Sequence, residues 1–169
     1  MTDSDETPLW LFSLKFYSLE GARESLLACQ DCSGANINIV LFMLWIAPHR
    51  RFLSLTEVRE IVSLTRSWSK NVIVPLRKIR QSLKKTEEAI VAKDSVLLRE
   101  KIKMLELEAE KIEQRALFEA YDIDCMGTLG LETGATAKAN LKIYEQLLKA
   151  PFPEPNLEFI VETISRGLH

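Results

Sequence analysis

The chain has 169 residues, 47% hydrophobic and 27% charged, with a formal net charge of −2. That balance excludes a disordered chain, and it gives no global pull toward nucleic acid or an anionic membrane. Three cysteines at this length do not make a disulfide framework, so a reducing cytoplasm is the expected setting.

The opening MTDSDETP is acidic and polar, which predicts a disordered tail over 1–7 and not a secretory signal. Thr7 before Pro8 is an N-cap and first-turn pair that predicts a helix over 8–18. Gly21 precedes a second short helix ending near Gly34, a favoured residue just past a helix end. Asn36 then caps an almost unbroken apolar helix over 37–47, stopped at Pro48. About eleven apolar residues fall short of the roughly 20 that a membrane span needs, so no span is expected.

Thr56, followed by Glu57 and Glu60, is expected to open the clearest helix. Its apolar positions Ile61, Leu64, Trp68, Val72, Leu76, Ile79, Leu83 and Ile90 recur at helical spacing. The stripe keeps phase through Pro75, which predicts one kinked helix rather than two unrelated ones. A turn near 92–94 with Asp94 as cap leads into a helix over 95–121. There Leu98, Ile102, Leu105, Ala109, Ile112 and Ala116 form a coiled-coil-like seam. The segment 122–134 reads as a loop, 135–149 as a helix, 150–155 as a stiff linker and 156–166 as a last short helix. The expected fold is one all-α domain, a helical bundle built on a long antiparallel hairpin with a kinked helix at Pro75.

Several local patterns carry chemistry in other settings and are weak here. Cys29 and Cys32 have the Cys-x-x-Cys spacing, but they fall near a helix C-terminus, where the dipole opposes a thiolate. A structural zinc needs four ligands, and the chain adds only Cys125, His49 and His169, with no second paired spacing. DIDCMG over 122–127 begins like a calcium loop, then fails at Met126 and Thr133. No nucleophile set or acid–base pair assembles, so no catalytic residue, metal or cofactor is expected.

Two clusters carry more. Between Ile61 and Thr86 there are seven basic residues and no acidic one. Arg66, Lys70, Arg77, Arg80 and Lys84 project within about 80 degrees of one another on a helical wheel. They form either a partner-binding face or a solvated face paired with Glu106, Glu108, Glu110 and Glu113, and the pairing is the favoured reading. Asp31, Asn36 and Asn38 gather at the mouth of the apolar helix. A helix apolar all round is expected to be buried, so these polar groups read first as a capping network. Their functional alternative is a small polar pocket, walled by Trp45 and Trp68 and reached by Arg77 or Arg80, which would make the chain a binder of an anionic small molecule or an enzyme.

CQDCSGANIN (29–38) with Trp45, VPLRKIR (74–80) and KIKMLELEAEKIEQ (101–114) together resemble a family of short proteobacterial proteins of unknown function. The resemblance covers roughly residues 9–118 and rests on Gln30, Asp31, Gly34, Asn36, Asn38, Trp45, Pro75, Leu76, Arg77 and Arg80. It implies a helical fold and a bacterial cytoplasmic setting, and no mechanism. The leading functional expectation is therefore a non-enzymatic helical protein that binds a partner. Contact would be through the basic face or through the acidic coiled-coil-like helix. A protein partner is preferred over nucleic acid, and self-association stays open.

Overall fold

A computed structural model describes residues 6–85 and 92–167. The helices are α1 (Pro8–Tyr17), α2 (Ala22–Ser33), α3 (Ile37–Ile46), α4 (Leu55–Trp68), α5 (Val74–Lys85), α6 (Ala92–Ala120), α7 (Thr133–Glu145) and α8 (Glu154–Ser165). Two short strands, β1 (Arg51–Phe52) and β2 (Thr128–Leu129), pair antiparallel, Arg51 with Leu129 and Phe52 with Thr128. The fold is an all-α bundle, as the periodicity predicts. The small β-ribbon corrects the reading of 122–134 as plain loop.

α3 is the centre. Val40, Leu41, Phe42, Met43, Leu44 and Ile46 are all buried, and α1, α2, α6 and α7 pack around it. Burying a large apolar side chain stabilises by roughly 1.5–3 kcal/mol, which makes this short helix the densest contributor to the core. Leu141, Phe152, Leu157, Ile160 and Ile164 close the same core from the C-terminal segment.

Local signals set most of the boundaries. Thr7 accepts from the Trp10 amide, as its place before Pro8 predicts. Residues 1–5 of the expected tail lie outside the described residues, whereas Glu6 pairs with Lys111 at 3.5 Å. α4 opens at Leu55, one residue before the expected Thr56, with Ser54 as its cap. Ser54 and Glu57 form a reciprocal capping box there, satisfying two backbone donors at once. Glu57 also accepts from the Gly127 amide at 2.6 Å, tying the start of α4 to the ribbon loop.

The kink expected at Pro75 is a π-turn over Ser69–Ile73, where the Val74 amide reaches back to the Ser69 carbonyl. Proline lacks an amide hydrogen and crowds the carbonyl four residues earlier, here that of Asn71, and one widened turn relieves both problems. The buried positions are Val58, Ile61 and Thr65 before the bulge and Ile73 within it, while Leu64 and Ile79 of the expected stripe are exposed. Ile90 and the rest of 86–91 lie outside the described residues. Residues 92–94, expected as a turn, already belong to α6, with Asp94 inside its first turn.

Gly34 and Gly127 both adopt positive φ, +74 and +52 degrees. A Cβ at Gly34 would touch only the Lys149 side chain at 3.6 Å, whereas one at Gly127 would stand 2.3 Å from the Phe52 carbonyl oxygen. Gly34→Ala is therefore expected to cost about 1 kcal/mol, the left-handed penalty alone. Gly127→Ala should cost more, because the ribbon backbone must also move. Chemical denaturation of the two variants checks the order; equal losses would contradict it.

Candidate functional site

The inward face of α6 carries Ile102, Glu106, Ala109, Glu113, Gln114 and Leu117, all buried. Two carboxylates thus sit where a coiled-coil seam would be apolar. Of the seam predicted from spacing, Ile102 and Ala109 are buried, but Leu98, Leu105 and Ile112 point outward. The reason is that the helices facing α6 offer polar partners for its glutamates.

Glu113 is 2% exposed and sits against the first turn of α3. Its Oε2 accepts from Asn38 Nδ2 at 2.7 Å and from Asn36 Nδ2 at 3.0 Å. Asn36 caps α3 by accepting from the Asn38 amide at 2.9 Å, and its own amide donates to the Tyr144 hydroxyl oxygen at 2.9 Å. Asn38 Oδ1 accepts from Gln114 Nε2 at 2.9 Å, and Gln114 Oε1 lies 2.8 Å from Ser13 Oγ. One polar layer so joins α1, α3, α6 and α7.

A second layer lies one to two turns back along α6, at Glu110 and Glu106. Glu106 accepts from Arg77 Nε at 2.9 Å and from the Arg80 guanidinium, while Glu110 accepts from Arg77 Nη2 at 2.9 Å. The expected pairing of the basic face with α6 is thus present at Glu106 and Glu110. Glu113 turns to the asparagines instead. Arg66, Lys70 and Lys84 remain exposed along α4, the π-turn and α5.

Environment separates these carboxyls. Burial would raise Glu106, but the hydrogen bonds and charges of Arg80 and Arg77 outweigh it and hold the group below the usual carboxylate range. Burial raises Glu110 and Glu113, against which Arg77 and the asparagine amides compete only in part. Glu113 Oε1 has no hydrogen-bond partner among the described residues, so nothing at that oxygen offsets the burial that raises the group. Burial likewise lifts the Tyr144 hydroxyl to about 12 and the Cys29 thiol to about 11, so Cys29 is no activated thiol.

A cleft of about 270 Å3 does open at the start of α3, lined by Gln30, Asn36, Asn38, Arg77, Glu110 and Lys149 among others, with the π-turn along one wall. Asp31 is exposed on the last turn of α2 and does not line it. Trp45 packs on the far side of α3 against Phe42 and Phe118, and Trp68 donates to the Ala109 carbonyl at 2.9 Å. Both tryptophans expected as pocket walls are therefore elsewhere, because α3 turns Trp45 away from α5. Ser13, Gln114 and Tyr144 gave no signal in the sequence, since each meets partners about a hundred positions away.

The outward face of α6 is the other unusual feature. Leu97, Met104, Leu105 and Ile112 are 57%, 63%, 52% and 45% exposed, and the exposed Leu14 of α1 stands beside Met104 and Leu105. Between the two helices runs a groove of about 750 Å3 lined by Trp10, Leu14, Met104, Leu105 and Leu107. Its rim carries Glu6, Lys101, Glu108 and Lys111.

Opposite pH responses follow for the two buried glutamates. Glu106, held low, contributes stability that is present above the unfolded carboxylate value near pH 4.3 and lost as pH falls through its folded value. Glu106→Gln should cost about 2 kcal/mol at neutral pH, less than a fully buried pair because Arg80 is a third exposed, and the cost should shrink on acidification. Glu113, held high, costs stability as pH rises from the unfolded carboxylate value near 4.3 to its folded value, over which the unfolded chain ionises and the folded one does not. Glu113→Gln should therefore gain on wild type as pH rises from roughly 4 to 8. Thermal unfolding across that range checks both signs, and parallel curves for the two variants would contradict them.

A family model described as "Protein of unknown function (DUF2390)" matches residues 8–117, from the first residue of α1 into the last turn of α6. No match was found among curated proteins or among solved structures. The matched stretch holds both polar layers except Tyr144, and most of α6. By that match, which spans well over half of its length, the chain belongs to this family of unknown function.

Proposed function

We propose that this protein is a non-enzymatic helical interaction module, docking a protein partner through the outward face of α6 and the groove against α1. One observation carries the reading: α6 turns Glu106 and Glu113 inward and leaves Leu97, Leu98, Met104, Leu105 and Ile112 outward. A free-standing protein seldom leaves a contiguous apolar patch beyond a few hundred Å2 uncovered, and larger patches with polar rims mark contact sites. Each large side chain covered there would add roughly 1.5–3 kcal/mol at full burial.

The competing surfaces are weaker. Arg77 and Arg80 are held by Glu106 and Glu110, so the basic face keeps only Arg66, Lys70 and Lys84 as its exposed members. That leaves little for phosphate recognition by nucleic acid. An anionic ligand in the cleft beside Asn36 and Asn38 would have to draw Arg77 away from two carboxylates. Free thiols at Cys29, Cys32 and Cys125 fit the reducing cytoplasm that we take as its setting.

Affinity capture separates the surfaces. Leu105→Glu combined with Ile112→Glu should abolish partner recovery while leaving the thermal midpoint within a few degrees of wild type, since both positions are already exposed. Arg66→Glu with Lys70→Glu should leave recovery unchanged. Loss in the second variant and not the first would overturn the reading.

A further inference from the structure

We infer that the partner of this face is a second copy of the chain, with α6 packed antiparallel on α6 about a two-fold axis crossing the helix between Met104 and Leu105. The inference rests on the docking reading above and names its occupant.

On a helix of 3.6 residues per turn, Leu97, Lys101, Met104, Leu105, Glu108 and Ile112 fall within about 100 degrees of arc and extend over about 22 Å. A symmetric dimer uses one patch twice, so the patch must complement itself. The stated axis sets Met104 opposite Leu105 of the second copy, Lys101 opposite Glu108 and Leu97 opposite Ile112. The apolar pairs lie at the centre and towards both ends, and each intervening pair joins a cation to an anion. Lys101 and Glu108 have no salt-bridge partner among the described residues, although both line the groove.

Charge also selects the orientation. A parallel, in-register pair would set Lys101 on Lys101 and Glu108 on Glu108, which is repulsive twice over. An unrelated amphipathic partner would not require opposite charges placed symmetrically about the midpoint of the apolar strip; self-pairing does. The net charge of −2 adds little general repulsion between copies. The exposed Leu14 would meet the second copy in the α1 groove, widening the contact beyond the helix pair.

Sedimentation equilibrium of the full chain tests the assignment. Wild type should be a dimer, and Leu105→Glu a folded monomer. Lys101→Glu and Glu108→Lys should each weaken dimerisation roughly ten-fold by creating two like-charge pairs. The double variant Lys101→Glu/Glu108→Lys should recover wild-type affinity, and mixing the two single variants should restore a dimer. A dimer indifferent to Leu105→Glu, or a double variant as weak as the singles, would overturn the assignment. A wild type that stays monomeric would overturn it as well. If Leu105→Glu with Ile112→Glu still abolished partner capture in that last case, the docking face would stand with another protein as its occupant.

Discussion

Every face of α3 is apolar, so the helix must sit in the middle, and its first turn then meets protein where it would otherwise meet water. Buried backbone donors and the two asparagine amides have to be satisfied there, at a cost of roughly 1–3 kcal/mol for each group left unpaired. Glu113 answers that need by accepting from Asn36 and Asn38 together. Gln114 takes up Asn38 Oδ1, and Tyr144 receives the Asn36 amide. The orientation of α6 follows from this demand. Once Glu113 faces inward, the positions four and seven residues earlier face the same way, and Glu106 is carried to Arg77 and Arg80.

A helix has only so much circumference. With Glu106, Glu110 and Glu113 committed to α5 and α3, the leucines at 97, 98 and 105 are left outside. The apolar exterior of α6 is therefore the complement of its polar interior, and the docking surface and the buried network are two faces of one placement. The two faces nevertheless act at different levels. Inward residues decide whether the bundle holds together and how it responds to pH, whereas outward residues can change without touching the core.

Much of the fold was legible because its signals are local. Thr7–Pro8, Gly34, Asn36 and Pro75 each act within a turn of themselves, and the composition of α3 alone requires burial. The pairing of the arginines with α6 was legible too, because opposite charges recur at helical spacing on adjacent helices. Periodicity misled where it assumed that apolar residues face inward. Leu98, Leu105 and Ile112 keep coiled-coil spacing perfectly well, yet the tertiary demand of the asparagines outweighs it. Asp31 lies close to Asn36 in the chain but one helix turn short of the layer, so nearness in sequence did not become nearness in space. The ribbon and the Tyr144 contact were invisible because each is made between segments far apart along the chain.

The claim on which the rest turns is that α6 buries Glu106 and Glu113 and leaves Met104, Leu105 and their apolar neighbours outside. Oxidative footprinting of its methionine against that of α3 measures this directly. In dilute protein Met104, 63% exposed, should oxidise rapidly, while Met43, fully buried, stays protected. Protection of Met104 should then appear as concentration rises and copies associate. A Met104 as slow to react as Met43 in dilute protein would mean that α6 buries its leucines, and would contradict the account.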